Sequence, residues 1–498
     1  MKKQKSPDIK LVITMALKKE VPKEWFVSHD VPVHTLASLR AGALKSASHH
    51  RFALRDKSKT WGLRGMLIVI TGQGLDANEE AALWIRNNLD PLFVVNIGTC
   101  GIRDKRRSMG KWISPDSVSK EEGERIELDT RFPLPHKEKI ITIDSLLSVK
   151  KVIESIPDRH DAVDMESYAQ AEVFSGTDIN FHCLKFATDY SDSNTVSDFN
   201  RNLPLFIEGI KCLFSFLDTK PEITVVIPVY NREQTIKRAI DSVLSQSILP
   251  EEVIVVDDCS TDGTKEVLEG YGEKITCISL PENSGPSTAR NKGIKQAKTE
   301  WISFLDSDDC WEQDKLNKQV EYLKRYPFYQ IMQSDEKWIR NGKRVNPCRH
   351  HKKPEGWIWG LSLERCLVSP SAVLMKKSLL EQYGMFDEAM PACEDYDLWL
   401  KISRHLPVGL DPALSVTKYG GHRDQLSMKY PAMDRFRAES LYRMLQSEPS
   451  GEYRQKIINV LGEKLMILIN GYEKRNKIND AGKCEEMLGS MAELRPRV

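Results

Sequence analysis

Long apolar segments alternate with helical segments throughout this 498-residue chain, and this alternation constrains its fold more than any other feature. The apolar segments 66–74 and 92–101 lie in the first half, and 222–231, 251–258 and 300–305 lie in the second. Runs of Val, Ile and Leu without polar alternation are typical of strands covered on both faces, and intervening helices provide crossover connections. The sequence therefore predicts an α/β protein with mainly parallel sheets.

A polar segment at 217–222, which contains Pro221, separates two such halves, and a new apolar run follows it directly. The length alone indicates about three domains. We predict two α/β domains at 1–218 and 222–430, followed by a helical extension at 431–498. In this extension, two helices precede a charged tail. A packing or partner-binding role is expected, because apolar helical stripes usually belong to a core.

The composition excludes several classes of protein. The net charge of +1 gives no argument for nucleic-acid binding by the whole chain. No apolar run reaches the roughly 18 residues of a membrane span, and no secretory leader is recognisable. The ten cysteines include no C-x-x-C pair, which disfavours a zinc cluster or a disulfide framework. We therefore expect a cytoplasmic protein with reduced thiols.

Two acidic clusters follow predicted strands of the second half. Asp257 and Asp258 end one strand, and the segment 306–309 has three carboxylates in four residues. The carboxyl ends of parallel strands share one edge, where α/β proteins bind ligands. Clustered carboxylates repel each other unless a cation offsets their charge, and oxygen ligands suit Mg²⁺ or Mn²⁺ together with substrate phosphates. The sequence therefore predicts a metal–diphosphate site.

Five motifs in the second half carry a family resemblance. They are, in order, "VVIPVYNREQTIKRAIDSVLSQS", "VIVVDDCSTDGT", "PENSGPSTARNKGI", "ISFLDSDD" and "CEDYDLWLKI". As an ordered set over about 222–425 they closely resemble the family 2 glycosyltransferases of the GT-A fold. The resemblance implies a nucleotide-sugar donor, with UDP-sugars as the favoured class, and a glycan or glycolipid acceptor.

The same resemblance implies residue roles. The implied nucleotide-sugar-binding residues are Pro228, Tyr230, Asp257, Asp258, Arg290 and Asp306. The implied metal ligands are Asp306, Asp308 and His422, with a structural role for His422 as the alternative. Asp395 is the implied general base, with Glu394 beside it. A metal would stabilise the departing diphosphate, and one base opposite the leaving group would give inversion at the anomeric carbon.

The first half carries a looser resemblance over about 10–215. The segments "MALKKEV", "VDMES" and "ATDYSD", together with "GQG" and "NIGTCG", resemble the nucleoside phosphorylase and nucleosidase superfamily and imply its three-layer α/β fold. By this resemblance, Met165 and Glu166 would bind the ribose of a nucleoside. Asp189 would protonate the leaving purine, and Glu20 would activate water.

Three hypotheses remain open at this stage. Asn96 stands where phosphorylases often have arginine, and Met15 replaces a common glycine, which favours hydrolysis over phosphorolysis or binding without catalysis. The first hypothesis is a glycosyltransferase fused to a nucleosidase. The second is a nucleoside sensor that gates the transferase without catalysis, and the third is a scaffold with two inactive sites. Trp357 and Trp359 either stack on an acceptor sugar or pack in a core. The donor sugar, the acceptor and any homo-oligomer stay open.

Overall fold

The structure is a computed structural model. It describes residues 9–16, 33–35, 66–71, 73–103, 112–120, 124–128, 140–148, 156, 160–189, 198–204, 206, 221–326, 329–345, 352–421, 430, 432–448 and 451–493. The chain forms two compact units that divide between Thr219 and Lys220. Each unit is described by itself.

The first unit is built on a nine-stranded sheet within the described residues. Its strands are β1 (Leu11–Met15), β2 (Val33–Thr35), β3 (Met66–Ile70), β4 (Phe93–Ile102), β5 (Trp112–Lys120), β6 (Arg125–Glu127), β7 (Ile140–Ser148), β8 (Ala162–Asp164) and β9 (Asn180–Asp189). The order is β2-β3-β1-β4-β8-β7-β5-β6, and β9 pairs with both β4 and β5. The strands β2, β3, β1, β4 and β9 are parallel, as expected for the uninterrupted apolar runs.

Two helices of the first unit whose bounds lie within the described residues pack on this sheet. They are α1 (Leu75–Asn88) and α2 (Ser167–Phe174). Helix α1 buries Ala81, Ala82 and Ile85, and their spacing places them on one helical face. Ala82 and Ile85 join a core that includes residues of β1, β3, β4 and β9, which completes a mixed α/β unit.

The second unit is also built on nine strands within the described residues. They are β10 (Ile223–Val229), β11 (Glu252–Asp257), β12 (Thr276–Ser279), β13 (Trp301–Phe304), β14 (Cys310–Trp311), β15 (Ile331–Arg340), β16 (Lys343–Val345), β17 (Val373–Lys376) and β18 (Gly409–Gly420). The order is β12-β11-β10-β13-β17-β15-β18-β14, with β16 beside β15. The first four in this order are parallel, so the carboxyl ends of β10, β11 and β13 share one edge.

Helices connect and cover the strands of the second unit. They are α3 (Ile236–Leu244), α4 (Thr264–Glu269), α5 (Pro286–Gln296), α6 (Lys315–Arg325), α7 (Trp359–Ser362), α8 (Lys377–Gln382) and α9 (Glu394–Ser403). Helix α3 buries Ile236, Ala239, Ile240 and Val243, which is the i, i+3, i+4, i+7 spacing of one apolar face. The strand–helix alternation therefore produces the parallel half of the sheet directly.

Three helices follow the second sheet in the described part of the chain: α10 (Asp434–Ser447), α11 (Glu452–Glu473) and α12 (Ile478–Glu493). The segment after α11, described from the sequence as a charged tail of the extension, forms α12 and buries Ala481, Cys484 and Met491. The three helices share a core with Leu363 and Tyr396 of the sheet-containing part. No helix among the described residues is long and apolar enough to cross a membrane.

We expect Leu465→Ala to destabilise the second unit by about 2–5 kcal/mol, because it leaves a cavity in this shared core. Leu465 of α11 is fully buried, whereas Ile467 on the same helix is 66% exposed. Ile467→Ala should therefore change the free energy of unfolding by only about 0.5 kcal/mol. Urea unfolding of both variants tests this, and equal losses would contradict the shared core.

Candidate active site

The loops after β10 and β11 form one side of the candidate site. Pro228 is buried near the end of β10, and the Tyr230 side chain follows it with 41% exposure. Asn231 joins the two loops, since its Oδ1 accepts a hydrogen bond from the Thr261 backbone N–H at 2.7 Å. An exposed aromatic ring beside a buried proline is compatible with the predicted wall of a nucleotide pocket.

The two acids at the end of β11 are buried and hold local backbone. Asp257 Oδ1 accepts the Ser260 N–H at 3.1 Å. The Asp258 carboxylate accepts the N–H groups of Ser284 and Gly285 at 2.7 and 2.8 Å. Gly285 has φ of 89°, in the region that favours glycine, and α5 begins directly after it. Asp258 therefore fixes the start of α5; the nucleotide contacts of both acids stay a prediction.

The D-x-D pair follows β13 at the shared strand edge. Asp306 and Asp308 are partly buried, and the pKa of Asp308 is raised by burial and by the charge of Asp306. Burial also acts to raise the pKa of Asp306, but Arg290, Lys418 and hydrogen bonds outweigh it and lower this pKa. The two carboxylates lie close together and repel each other when both are ionised. A cation bound at this edge of the sheet would reduce that repulsion.

Arg290 of α5 connects the D-x-D pair to the acids at the start of α9. Its guanidinium donates to Asp306 Oδ1 at 2.9 Å and to Glu394 Oε1 at 2.8 Å. The Arg290 side chain is only 7% exposed, so both ion pairs are largely shielded from water. The structure thus gives Arg290 two carboxylate partners, while its predicted contact with the nucleotide remains a prediction.

Asp395 is the most accessible acid of the "EDYD" segment. Glu394 is paired with Arg290, and buried Asp397 accepts the Ser440 hydroxyl at 2.6 Å. Asp395 is half-buried, and its Oδ1 accepts the Tyr396 N–H at 2.7 Å. It lies in the first turn of α9. Asp395 is therefore an oriented carboxylate, as a general base requires.

A thiol also contacts this carboxylate. Cys366 Sγ lies 3.5 Å from Asp395 Oδ2, and burial followed by the charge of Asp395 raises the pKa of Cys366 well above its ordinary value. The group therefore stays a neutral thiol with one hydrogen to donate. The Val368 carbonyl oxygen, at 3.1 Å, lies closer to this thiol than Asp395 Oδ2 does.

The third acid of "DSDD" and a distant lysine were not assigned roles from the sequence. Asp309 accepts the Ser371 hydroxyl at 2.7 Å and the Tyr419 N–H at 3.1 Å, and burial raises the pKa of Asp309 to about 8. The neighbouring Lys418 of β18 belongs to the same charged region. The one available sequence signal was a lysine inside the apolar strand segment "LSVTKYG".

The two tryptophans of "GWIWG", which were predicted either to stack on an acceptor sugar or to pack in a core, differ in burial. Trp359 is buried in the core shared with the helical extension, where its ring lies 5.3 Å from that of Tyr453. Trp359 therefore packs in a core, while Trp357 is half-buried and its role stays open. The predictions for Glu20 and His422 lie outside the described residues.

Among the described residues, Asp306 and Asp308 are the candidate ligands for a divalent cation, and substrate phosphates would complete the site. No set of three His, Cys, Asp or Glu side chains in the described part of the chain is arranged to hold a metal. Magnesium is commonly bound by one or two carboxylates plus substrate phosphates. The Asp306 and Asp308 pair fits this mode of binding.

The predicted nucleoside-site residues of the first unit lie near the ends of three adjacent strands. Gly101 of β4 pairs with Val163 of β8 and with Asp189 of β9, so the segments before Glu166 and at Asp189 are neighbours. Met165 is half-buried, whereas Glu166 and Asp189 are buried. The buried ammonium of Lys185 lies 3.7 Å from Glu166 Oε2.

The interior of the same unit holds a polar network. Lys185 Nζ also contacts Asp164 Oδ2 at 2.8 Å. Asn96 donates to Thr14 Oγ1 at 3.1 Å and accepts from Ser167 Oγ at 3.3 Å. Asn96, at the position where phosphorylases often have arginine, thus takes part in internal hydrogen bonds that link β1, β4 and α2.

The second unit defines a class of protein: an α/β domain with carboxylates at the carboxyl ends of parallel strands, where such sheets bind ligands. Residues 224–383 match the family described as "Glycosyl transferase family 2". The glycosyltransferase TuaG of Bacillus subtilis (strain 168), whose name refers to teichuronic acid biosynthesis, is 47% identical over 107 residues, which are 21% of this chain and 42% of TuaG.

Other relatives match the same part. The uncharacterized glycosyltransferase RT0329 of Rickettsia typhi (strain ATCC VR-144 / Wilmington) is 34% identical over 199 residues, which cover 38% of this chain and 61% of RT0329. The solved structure of S. aureus TarS 1-349 in complex with UDP matches with 23% sequence identity. The match covers 55% of this chain and 81% of the TarS chain, with a TM-score of 0.42.

The second unit therefore contains a family 2 glycosyltransferase domain. The prediction of this family from the five motifs is confirmed for the C-terminal half. The chain covers less than two thirds of TuaG and of RT0329. The phosphorylase-like fold of the first unit stays a prediction.

Proposed function

We propose that the second unit transfers a sugar from a nucleotide-sugar donor to an acceptor hydroxyl, with inversion at the anomeric carbon. The observation that carries this proposal is the Arg290 connection between Asp306 of the D-x-D pair and Glu394, the neighbour of Asp395. This connection supports the proposal, because it links an acid of the proposed donor site to the neighbour of the proposed base.

The proposed reaction divides the work between two groups of residues. Pro228, Tyr230 and the acids after β11 would bind the nucleotide, and Asp306 and Asp308 would lie at its diphosphate. Asp395 would remove the proton of the acceptor hydroxyl while the oxygen attacks the anomeric carbon. The bond from this carbon to the diphosphate oxygen breaks at the same time. A base on the face opposite the leaving group supports inversion.

The proposed metal site consists of Asp306 and Asp308, with His422 as a third candidate. When bound, Mg²⁺ or Mn²⁺ would neutralise charge that develops on the departing diphosphate. We expect excess EDTA to abolish donor turnover and added Mn²⁺ or Mg²⁺ to restore it, because the acid pair alone repels the diphosphate. Release of nucleoside diphosphate from a panel of UDP-sugars and other nucleotide sugars measures this.

Two outcomes of that assay would contradict the proposal. Turnover that is insensitive to EDTA would exclude the metal role of the D-x-D pair. The absence of release from every nucleotide sugar, with oligosaccharide and glycolipid acceptors present, would contradict the transferase itself. The names of TuaG and of the succinoglycan biosynthesis protein ExoO from Rhizobium meliloti (strain 1021) support polysaccharide precursors as the first acceptors to test.

For the first unit we propose nucleoside binding, because the β4 register brings the segment before Glu166 next to Asp189. In this proposal Glu166 accepts the ribose hydroxyls, Met165 packs on the sugar and Asp189 protonates the base. The unit is then either a nucleosidase, with Glu20 activating water, or a sensor that gates the transferase without hydrolysis.

We expect adenosine-type nucleosides to raise the melting temperature of the full chain, since a ligand at 100 times its Kd adds about 2.7 kcal/mol to stability. Glu166→Gln should remove this shift. Glu172→Gln, at an exposed position of the same helix α2, should retain it. Release of free base, measured by chromatography, indicates the nucleosidase, and stabilisation without release indicates the sensor. A wild-type protein that is not stabilised by any nucleoside would contradict the binding proposal.

A further inference from the structure

Lys418 is a cation of the second unit that lies near the proposed donor site and has no role in the proposed reaction. It lies on β18, opposite Trp338 of β15, and its side chain is partly exposed. The backbone N–H of the next residue, Tyr419, donates to Asp309 Oδ1 at 3.1 Å. This hydrogen bond holds β18 against the turn that contains the D-x-D pair, so Lys418 is fixed beside the candidate donor site.

Lys418 forms no salt bridge with a described residue. Its Nζ donates to Ser369 Oγ at 3.2 Å, and no described carboxylate lies within the 4.0 Å range of a salt bridge to it. An ammonium has three donors, so this hydrogen bond leaves further donors available.

The four carboxylates that influence Lys418 already have other partners. Asp306 is paired with Arg290, and Asp309 accepts from Ser371 and Tyr419. Glu336 is paired with Lys353 at 2.8 Å, and Asp395 accepts the Tyr396 N–H. Burial lowers the pKa of Lys418, but Asp309, Glu336, Asp306 and Asp395 raise it by more, so the group stays charged. The Lys418 ammonium therefore has N–H donors left for an anionic ligand, while the surrounding carboxylates are held by other partners.

We propose that the Lys418 ammonium binds the phosphate of the donor that is attached to the sugar, and stabilises the nucleoside diphosphate as it leaves. This inference rests on the proposed transferase function. The phosphate next to the anomeric carbon must lie between the D-x-D pair and the base, and Lys418 responds to the charges of both Asp306 and Asp395. In the reaction, the anomeric carbon–oxygen bond breaks, and its electron pair stays on the phosphate oxygen that receives the hydrogen bond from Lys418.

The test compares UDP with UMP as ligands of the full chain, because UMP lacks the phosphate assigned to Lys418. Calorimetric Kd values in the presence of Mn²⁺ are measured for the wild type, Lys418→Met and Lys418→Arg. A charge-assisted hydrogen bond predicts a roughly 10–100-fold loss of UDP affinity in Lys418→Met, with UMP affinity within about twofold of the wild type. Lys418→Arg should recover part of the UDP affinity.

Lys376→Met is the matched control, since Lys376 lies on β17 of the same sheet, opposite the amino-terminal residue Trp301 of β13. This variant should bind UDP like the wild type. Equal losses for UDP and UMP in Lys418→Met, or no loss for either, would overturn the assignment. If the wild-type protein binds UDP and turns over a donor, either of these two outcomes refutes only the role of Lys418 and leaves the proposed function standing. If the wild type binds and turns over no nucleotide sugar, the proposed function fails as well.

Discussion

Asp395→Asn should lower kcat for sugar transfer by roughly 10²–10⁴-fold, the usual contribution of a general base. The amide keeps an oxygen for the Tyr396 N–H, which donates to Asp395 Oδ1 at 2.7 Å. The variant therefore retains the local geometry and loses basicity. Because the base acts on the acceptor, the Kd of the nucleotide-sugar donor should change little. Initial rates and calorimetric donor binding on the same preparations measure the two effects.

A matched control for Asp395→Asn is Asp387→Asn. Asp387 has a side chain that is 25% exposed and pairs with Arg443 outside the Arg290 assembly. This variant should keep the wild-type kcat. A loss of donor affinity equal to the loss of kcat in Asp395→Asn would show that Asp395 binds the donor. Unchanged kcat would show that another group is the base.

Arg290→Met should destabilise the second unit by about 3–5 kcal/mol, because it leaves two carboxylates without their buried partner. Asp306 and Glu394 contact Arg290 at 2.9 and 2.8 Å. Burial raises the pKa of Glu394 even with the arginine present. Without it, Glu394 should take up a proton, and the connection between the two acidic segments is lost. Urea unfolding and donor turnover both measure the effect.

Arg443→Met provides an unusually close comparison. Arg443 also pairs with two carboxylates, those of Asp387 and Glu439, but its side chain is 43% exposed. Exposed ion pairs contribute about 0–1 kcal/mol, so Arg443→Met should have little effect on stability. Similar losses for the two arginine variants would contradict the view that burial makes the Arg290 pairs important.

The features that were predicted from the sequence are those determined by local pattern. The apolar run 300–305 and the acids after it predicted a strand end, and β13 ends at Phe304, two residues before Asp306. The alternation of apolar and helical segments predicted helices between the strands in the same way, and α3 is one of them. These properties depend on the spacing of apolar residues along the chain, which can be read from the sequence.

The connections inside the candidate site depend on tertiary placement and had no local signal. Arg290 and Glu394 are separated by 104 positions, and their pairing requires the sheet to bring α5 and α9 together. Lys418 reaches the acids because β18 pairs with both β15 and β14, although these strands are far apart in sequence. Trp359 could be assigned to a core only once the helical extension was seen to cover it.

The most direct test of the central claim is diphosphate release from nucleotide sugars by the wild type, Asp308→Asn and Asp395→Asn in Mn²⁺. The full chain is used, and circular dichroism verifies the folding of each variant. The account predicts metal-dependent release by the wild type and loss of release in both variants, with donor binding lost in Asp308→Asn and retained in Asp395→Asn. Release that survives in both variants would contradict the assignment of the metal-site acid and of the base.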